Sequence, residues 1–282
     1  MTTEFDATLA KDDPDRRLAA LFAEPVIRRR LFALYAFYHE IARIPDKVSE
    51  PVIGEMRLAW ARDAVEDLFQ TPPNVRRHDV YEALADVCCE PGGPDRDTLI
   101  ALVEARNADL GQGPFPTTQD RRDYVDRTAV AVMRAAARLT DPELDLDGEA
   151  GAAVAAAGRL WGFTGLVRAF PALAAEGRPP LAAEEMAAHG LAEIDLQRGR
   201  KAEAARAAMA GLFAEADAAQ AEFARTRAAL PAKVFPAVGY AGLARGYLRA
   251  AKRAKDPYRE PAERPLFTRQ WRLVWGSLTG RI

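Results

Sequence analysis

Three features of the sequence predict an all-α fold. Alanine, leucine, arginine and glutamate dominate, glycine and proline gather between runs of helical periodicity, and alternating β-branched stretches are missing. The 282 residues suffice for one large core. No shift in composition marks a seam, so residues 1–282 are read as a single domain.

Residues 14–30 read as a short helix leading into the central element, with Pro25 near its end. The next helix runs from Leu31 to about Arg43, where Pro45 stops it by removing a donor and crowding the preceding turn. Ile53, Met56, Trp60, Ala64 and Leu68 recur at helical spacing as the apolar stripe of an amphipathic helix, with Arg57, Arg62, Asp63, Glu66 and Asp67 on other faces. The segment Thr71 to Asn74 ends it. Helices over His78 to Cys89 and Arg96 to Asp109 follow, separated by the loop EPGGPD. Beyond GQGPFPTT, Thr118 opens a capped helix over Asp120 to Leu139, with Tyr124, Thr128 and Val132 on one stripe. Small residues fill a helix over Ala150 to Ala169, which Pro171 breaks. After EGRPPL come a short helix Ala182 to His189 and a long one Gly199 to Leu230, whose buried stripe is Met209, Phe213, Ala216, Gln220 and Phe223. Residues 236–254 form a further helix and Leu266 to Leu278 the last. No short-period repeat is present, which argues against a solenoid.

The formal net charge of -2 provides no global field toward nucleic acid. Cys88 and Cys89 are adjacent and fit a reducing compartment. The N-terminal stretch MTTEFDATLAKDDPDRR carries acids where a targeting peptide carries bases, and no run of about 18 apolar residues stands out, so a cytoplasmic protein is expected. His39, His78 and His189 lack metal-ligand spacing, and no serine or cysteine nucleophile motif occurs. Gly158, Gly162 and Gly165 suit close helix packing rather than phosphate binding, because no strand precedes them. Phe267, Trp271, Val274, Trp275 and Leu278 line one side of the last helix, with charge from Arg269, Arg272 and Arg281. The first reading of that side is a core stripe. The alternative is a docking surface for a partner or a membrane, to which the basic patch Arg245, Arg249, Lys252, Arg253 and Lys255 contributes.

The stretch Leu31 to Phe69 organises the chain. Its first part, Leu31-Phe32-Ala33-Leu34-Tyr35-Ala36-Phe37-Tyr38, resembles the start of the L-Y-A-F-C-R-x-x-D-D-x-x-D helix of the squalene/phytoene synthase family. Met56-Arg57-Leu58-Ala59-Trp60-Ala61-Arg62-Asp63 resembles that family's R-L-x-W-W-R-D helix. Tyr124 to Ala129 is similar to its Y-x-x-x-V-A helix, and the likeness covers roughly Leu18 to Leu278 in family order. The resemblance implies an isoprenoid synthase-type helical bundle around a central cavity, in which the helices carrying Ala42 and Ala169 face each other.

In the family two acidic motifs hold Mg²⁺ against a prenyl diphosphate. The first aligns with Ala42, Arg43, Ile44, Pro45 and Asp46, leaving one carboxylate of three. In the second, the framing residues Thr164, Arg168, Gly177, Arg178 and Leu181 align without a gap, while the acids are replaced by Ala169, Ala172 and Leu173. Mg²⁺ needs oxygen ligands in near-octahedral array, and ionising a diphosphate needs that charge. No catalytic or metal-binding residue is therefore assigned, and Mg²⁺ is implied only under the alternative of an active synthase joining two prenyl diphosphates. Tyr35, Phe37, Trp60, Trp161 and Phe163 are candidates for the old prenyl pocket, where aromatic faces would stabilise cations, with ordinary core packing as the equal alternative. Asp46 is the surviving acid, and Arg57, Arg168 and Arg178 are candidates for an anionic head group or for internal ion pairs.

The phrase Asp46-Lys47-Val48-Ser49-Glu50, followed by Ile53-Gly54 and Met56-Arg57, resembles the branch of the family that has lost both acidic motifs and serves assembly of respiratory complex I. The resemblance implies a catalytically degenerate homologue acting as an assembly or interaction factor. Its partners would be complex I subunits or other assembly factors, with a prenyl lipid or quinone as a ligand and peripheral membrane contact as further options. Its place would be the cytoplasm or the inner membrane face.

Overall fold

The computed structural model describes residues 4–48, 50–259 and 264–280, and of the residues singled out above Ser49 and Arg281 lie outside them. The fold is all-helical; among the described residues the single β feature is an isolated bridge between Phe115 and Ala182. Helix α1 (Glu4–Asp12) is followed by three helices that each begin on proline: α2 (Pro14–Ala20), α3 (Pro25–Ala42) and α4 (Pro51–Leu68). A proline at the first helical position sacrifices no bond, because the N–H there has no intrahelical partner, and its fixed φ suits the helix. Pro25 therefore opens α3 instead of closing the helix before it, and the run expected over residues 14–30 is two helices. Pro45 does stop α3, and Pro45–Lys47 form a single 3₁₀ turn.

Helices α5 (Asp79–Cys88) and α6 (Arg96–Glu104) pack beside α3 and α4. A capping box starts α7 (Thr118–Val125): the Asp120 N–H donates to Thr117 Oγ1 at 3.1 Å and the Thr117 N–H to the Asp120 carboxylate at 2.9 Å. The cap is thus Thr117, one residue before the expected Thr118. A π turn, Asp126–Val130, leads into α8 (Ala131–Thr140).

The central helix is α9 (Glu149–Ala175), which packs against α8, α14 (Ala244–Arg253) and, along much of its length, α12 (Ala202–Thr226). Pro171 lies inside α9 and does not break it. Losing one ladder bond costs about 3 kcal/mol, yet Phe170 and Ala174 on either side are fully buried, and their burial holds the helix together across the proline. By length and composition α9 is the one described helix able to cross a membrane, but 67% of its apolar window is buried inside the protein. The short α10 (Ala183–Ala188) and α11 (Glu193–Gln197) cover its C-terminal end, around a second apolar cluster of Phe170, Leu181, Met186, Leu196 and Met209. Fully buried Arg121 joins α7, α10 and α12 by donating to Glu215 at 2.7 Å and to Glu185 at 2.6 and 2.8 Å.

The buried stripe of α12 is Met209, Leu212, Ala216, Ala219 and Phe223; Phe213 and Gln220 are half-buried at its margin. The helix expected over residues 236–254 is α13 (Phe235–Val238), a 3₁₀ segment Gly239–Leu243 and α14. The Phe235 ring packs so close to Gly239 that a Cβ there would fall 2.8 Å from it.

One expected apolar stripe divides and another faces outward. Ala64 and Leu68 of the α4 stripe are core, while its N-terminal members are not. On α4 the buried residues are Gly54, Leu58, Ala61, Ala64, Val65 and Leu68, while Ile53, Met56 and Trp60 are exposed. The helix carries two apolar sides, and the one with Gly54 wins the core because it admits Leu110 closely. On α15 (Leu266–Thr279) only Leu273 and Gly276 are buried, which overturns the reading of Phe267, Trp271, Val274, Trp275 and Leu278 as a core stripe.

Candidate functional site

The C-terminal end of α3 and the C-terminal half of α9 carry the positions of the two acidic motifs. Their surroundings meet where Arg178 Nη2 lies 3.7 Å from Asp46 Oδ1. Arg43 approaches the other Asp46 oxygen at 3.8 Å, and Arg178 also pairs with Glu176 and donates to the Asp109 carbonyl at 2.8 Å. The surviving acid thus sits between two guanidinium groups that each have a nearer acid, Asp12 for Arg43 at 3.3 Å and Glu176 for Arg178. Backbone bonds from Gly113 to the Gly177 carbonyl (2.7 Å) and from Phe115 to the Leu181 carbonyl (2.8 Å) fix the loop that presents Arg178.

Deeper inside, the aromatic residues of α3 surround a cation that belongs to the chain itself. The guanidinium carbon of Arg16, on α2, lies 5.8, 5.0 and 5.4 Å from the ring centroids of Tyr35, Tyr38 and Tyr240. Its Nη1 reaches Asp13 at 2.5 Å and its Nε donates to Tyr240 Oη at 3.3 Å. On the other side of Tyr38, buried Arg106 lies 4.6 Å from the ring centroid and donates to Tyr124 Oη and Asp109, each at 3.1 Å. Trp161 packs edge-on to Tyr240 at 5.0 Å, and Arg168 lies 5.8 Å from the Trp161 ring and 4.1 Å from that of Tyr247. Asp15, almost fully buried, accepts from Tyr247 at 2.7 Å and Arg269 at 2.9 Å, with Arg168 at 3.5 Å.

Four phenols and two guanidinium groups of this interior are held away from neutrality. Burial pushes the Tyr35, Tyr124 and Tyr240 phenols up, and takes Tyr247 to about 12 with help from Asp15. Burial works against the Arg16 and Arg106 cations, but Asp13 and the rings outweigh it for Arg16, as Tyr38, Tyr124 and Asp109 do for Arg106, so both are raised. Groups held this far from neutral pH make poor general acids or bases.

Of the candidates named from the sequence, Tyr35, Trp161 and Arg168 belong to this one cluster, and Asp46 and Arg178 form its outer ion pair. Phe37 points to the opposite side of α3, edge-on to Tyr81 at 6.0 Å, and Trp60 meets the other face of that arrangement at 5.3 Å from Tyr81. Neither joins the Arg16 cluster. Arg57 is exposed on α4. Arg16, Arg106, Tyr38, Tyr240 and Asp15 were not singled out. Arg16 and Asp15 lie in a charged stretch that reads as solvated, and the partner Tyr240 is 224 residues away.

A cleft of about 460 Å³ opens beside the second motif, lined among others by Asp109, Phe115, Tyr124, Leu166, Leu173, Arg178 and Pro180. Only Arg178 of the sequence candidates lines it. Leu173, at the position of a family aspartate, contributes an apolar wall. The donor set does not fit Mg²⁺: the motif positions supply a single carboxylate, Asp46, with guanidinium groups 3.7 and 3.8 Å from it, and no group of three or more His, Cys, Asp or Glu side chains among the described residues could hold a metal ion.

The sequence model of the squalene/phytoene synthase family matches residues 9–278. NADH dehydrogenase (ubiquinone) complex I, assembly factor 6, is 23% identical in Rattus norvegicus and 24% in Bos taurus over 240 residues, covering 81% of this chain and 67% of each relative. Among solved structures, a dehydrosqualene synthase in complex with ligand superposes with a TM-score of 0.79 at 16% identity, over 98% of this chain and 94% of that one. Squalene synthase HpnC from Alicyclobacillus acidocaldarius gives 0.72 at 19% identity, over 87% and 90% of the two chains.

Proposed function

The chain belongs to the squalene/phytoene synthase family, and from the state of its two acidic motifs we propose that it is a catalytically degenerate member, one domain over residues 1–282, acting as an assembly factor for respiratory complex I. One observation carries this reading: of the acid positions in the two motifs only Asp46 keeps a carboxylate, and the guanidinium groups of Arg43 and Arg178 lie 3.8 and 3.7 Å from it, where a synthase needs several free carboxylates for metal. The similarity to relatives named as complex I assembly factor 6 supports the client. Electrostatic stabilisation of a departing diphosphate is the largest catalytic term such a reaction requires, and the interior offers arginines already engaged with carboxylates and rings. Partners are then subunits of complex I or its other assembly factors, met in the cytoplasm at the inner membrane face. Tyr35, Trp161 and Arg168 hold the fold together under this reading, and Asp46 and Arg178 tie the two motif stretches.

The cleft walled by Leu166, Leu173 and Phe115 favours a second reading, retention of a prenyl lipid or quinone without chemistry. Deleting the gene in the native host separates them. Assembled complex I in the membranes is expected to fall several-fold, as resolved on native gels and by NADH oxidation. Unchanged complex I in the deletion strain would remove the assembly role and leave the lipid reading.

A further inference from the structure

Helix α15 lies against α2 and the Gly239–Leu243 segment through its narrow inner side. Arg269 pairs with Asp15 at 2.9 Å, Arg272 donates to the Gly242 carbonyl at 2.6 Å, and Leu273 is 2% exposed. The opposite side holds Phe267, Trp271, Val274, Trp275 and Leu278, at spacings of four, seven, eight and eleven from the first, which align them along one face. Phe267 is 75% exposed, Trp271 61%, Trp275 56% and Leu278 79%. Large apolar side chains grouped this way on a surface mark an interaction site.

Charge decides what meets that face. From Arg264 to Ile282 the sequence has no Asp or Glu. Of its arginines, Arg269 is neutralised by Asp15, while Arg272 is held by the Gly242 carbonyl and has no carboxylate partner among the described residues. Exposed Arg245 and Arg249 on α14 add to the positive rim. Burial first, and then the charges of Arg245, Arg227, Arg264 and Arg249, push the Arg272 guanidinium down, so its surroundings are electropositive. A second copy of the chain would bring two such rims together around a twofold axis, like charge against like. An anionic bilayer complements both features, since tryptophan rings settle at the headgroup level and arginines meet lipid phosphates.

We propose that the outward face of α15, with Arg245 and Arg249 beside it, docks the protein on an anionic lipid bilayer as an interfacial helix lying in the membrane plane. This goes beyond the assembly role and does not depend on it. The test uses the full-length protein co-sedimented with vesicles of equal parts phosphatidylglycerol and phosphatidylcholine, and with vesicles of phosphatidylcholine alone. Binding is expected on the anionic vesicles and weakened by added salt. Replacing the two tryptophans of α15 (Trp271→Glu, Trp275→Glu) should lower partitioning by about ten-fold or more, and Arg245→Glu with Arg249→Glu should abolish the preference for anionic lipid. Neither pair of side chains is buried, and thermal melts of the variants verify folding.

Tryptophan emission gives a second readout that needs no charge reversal. In a Trp60→Phe protein the remaining exposed tryptophans are Trp271 and Trp275, and their emission should shift to the blue on anionic vesicles. Equal sedimentation of the wild type and the double tryptophan variant, or no blue shift, would overturn the proposal. So would a concentration-dependent dimer without vesicle binding that the tryptophan substitutions dissolve, which would make a second copy the occupant.

Discussion

Arg16 shares one guanidinium among three phenol rings, a tyrosine hydroxyl and the Asp13 carboxylate. Removing it leaves Asp13 and Tyr240 without their shared partner in a place water reaches poorly, so Arg16→Met is expected to destabilise the protein by about 3 kcal/mol, measured by denaturant unfolding. Arg16→Lys should recover only part of that loss, because a point charge cannot serve ring faces and carboxylate with one planar fork. His39 gives a pH effect of known sign. Burial, the larger influence, holds its imidazole below the ordinary 6.5, against the raising effect of Asp12 and Asp13 and with the lowering effect of Arg43. The unfolded chain therefore takes up the proton first as the pH falls. This contribution is absent above the unfolded value and turns unfavourable as the pH drops from about 6.5 toward the folded value. The melting temperature of His39→Gln should fall less than that of the wild type between neutral pH and about 5.5. At this scale the sequence was readable where a motif named the position, as for Asp46 and Arg178. It was silent where partners are brought together by the fold, as with Arg16 and Tyr240.

Helix α9 approaches its neighbours through glycine. A Cβ at Gly158 would fall 2.7 Å from the Val130 Cα, and one at Gly162 2.6 Å from a Val125 methyl, whereas Gly165 has open space. Gly158→Ala must push two helical backbones apart and is expected to cost about 1–3 kcal/mol in thermal unfolding. Gly165→Ala should cost nothing by this route, and its gain in helix propensity gives the comparison its control. The number and order of the long helices were legible from periodicity and punctuation, since propensity and pattern agree there. Prolines misled in two opposite ways: Pro25 opens a helix because the first turn needs no donor, and Pro171 sits inside one because burial on both sides outweighs the missing bond. Stripes misled wherever a helix is apolar on two sides. On α4 and α15 spacing alone could not say which side the core takes, and in both cases the more aromatic side faces outward.

Across the whole molecule the family's frame persists while all but one of its motif carboxylates are absent. Guanidinium groups stand near positions that hold carboxylates in a synthase, and the interior set of rings is closed around Arg16. The purified protein is therefore expected to give no C30 or C40 hydrocarbon from farnesyl or geranylgeranyl diphosphate with Mg²⁺ present, and no release of diphosphate. Burying several uncompensated phosphate charges costs several kcal/mol or more, and arginines offset part of that without bridging both phosphates as a metal does. Metal-dependent diphosphate release with a prenyl hydrocarbon as product would restore the synthase reading. The cation enclosed by tyrosines also has a historical consequence. A lineage returning to catalysis would need carboxylates at Ala42, Arg43, Ala169 and Leu173, and open space beside Tyr35 and Trp161. Losing Arg16 first is expected to weaken the fold, and gaining carboxylates first is expected to bring no turnover while Arg16 fills the ring cluster. Under the proposed degenerate reading each single substitution is expected to be harmful or neutral even where the complete set is favourable, so loss of catalysis would behave as an evolutionary ratchet.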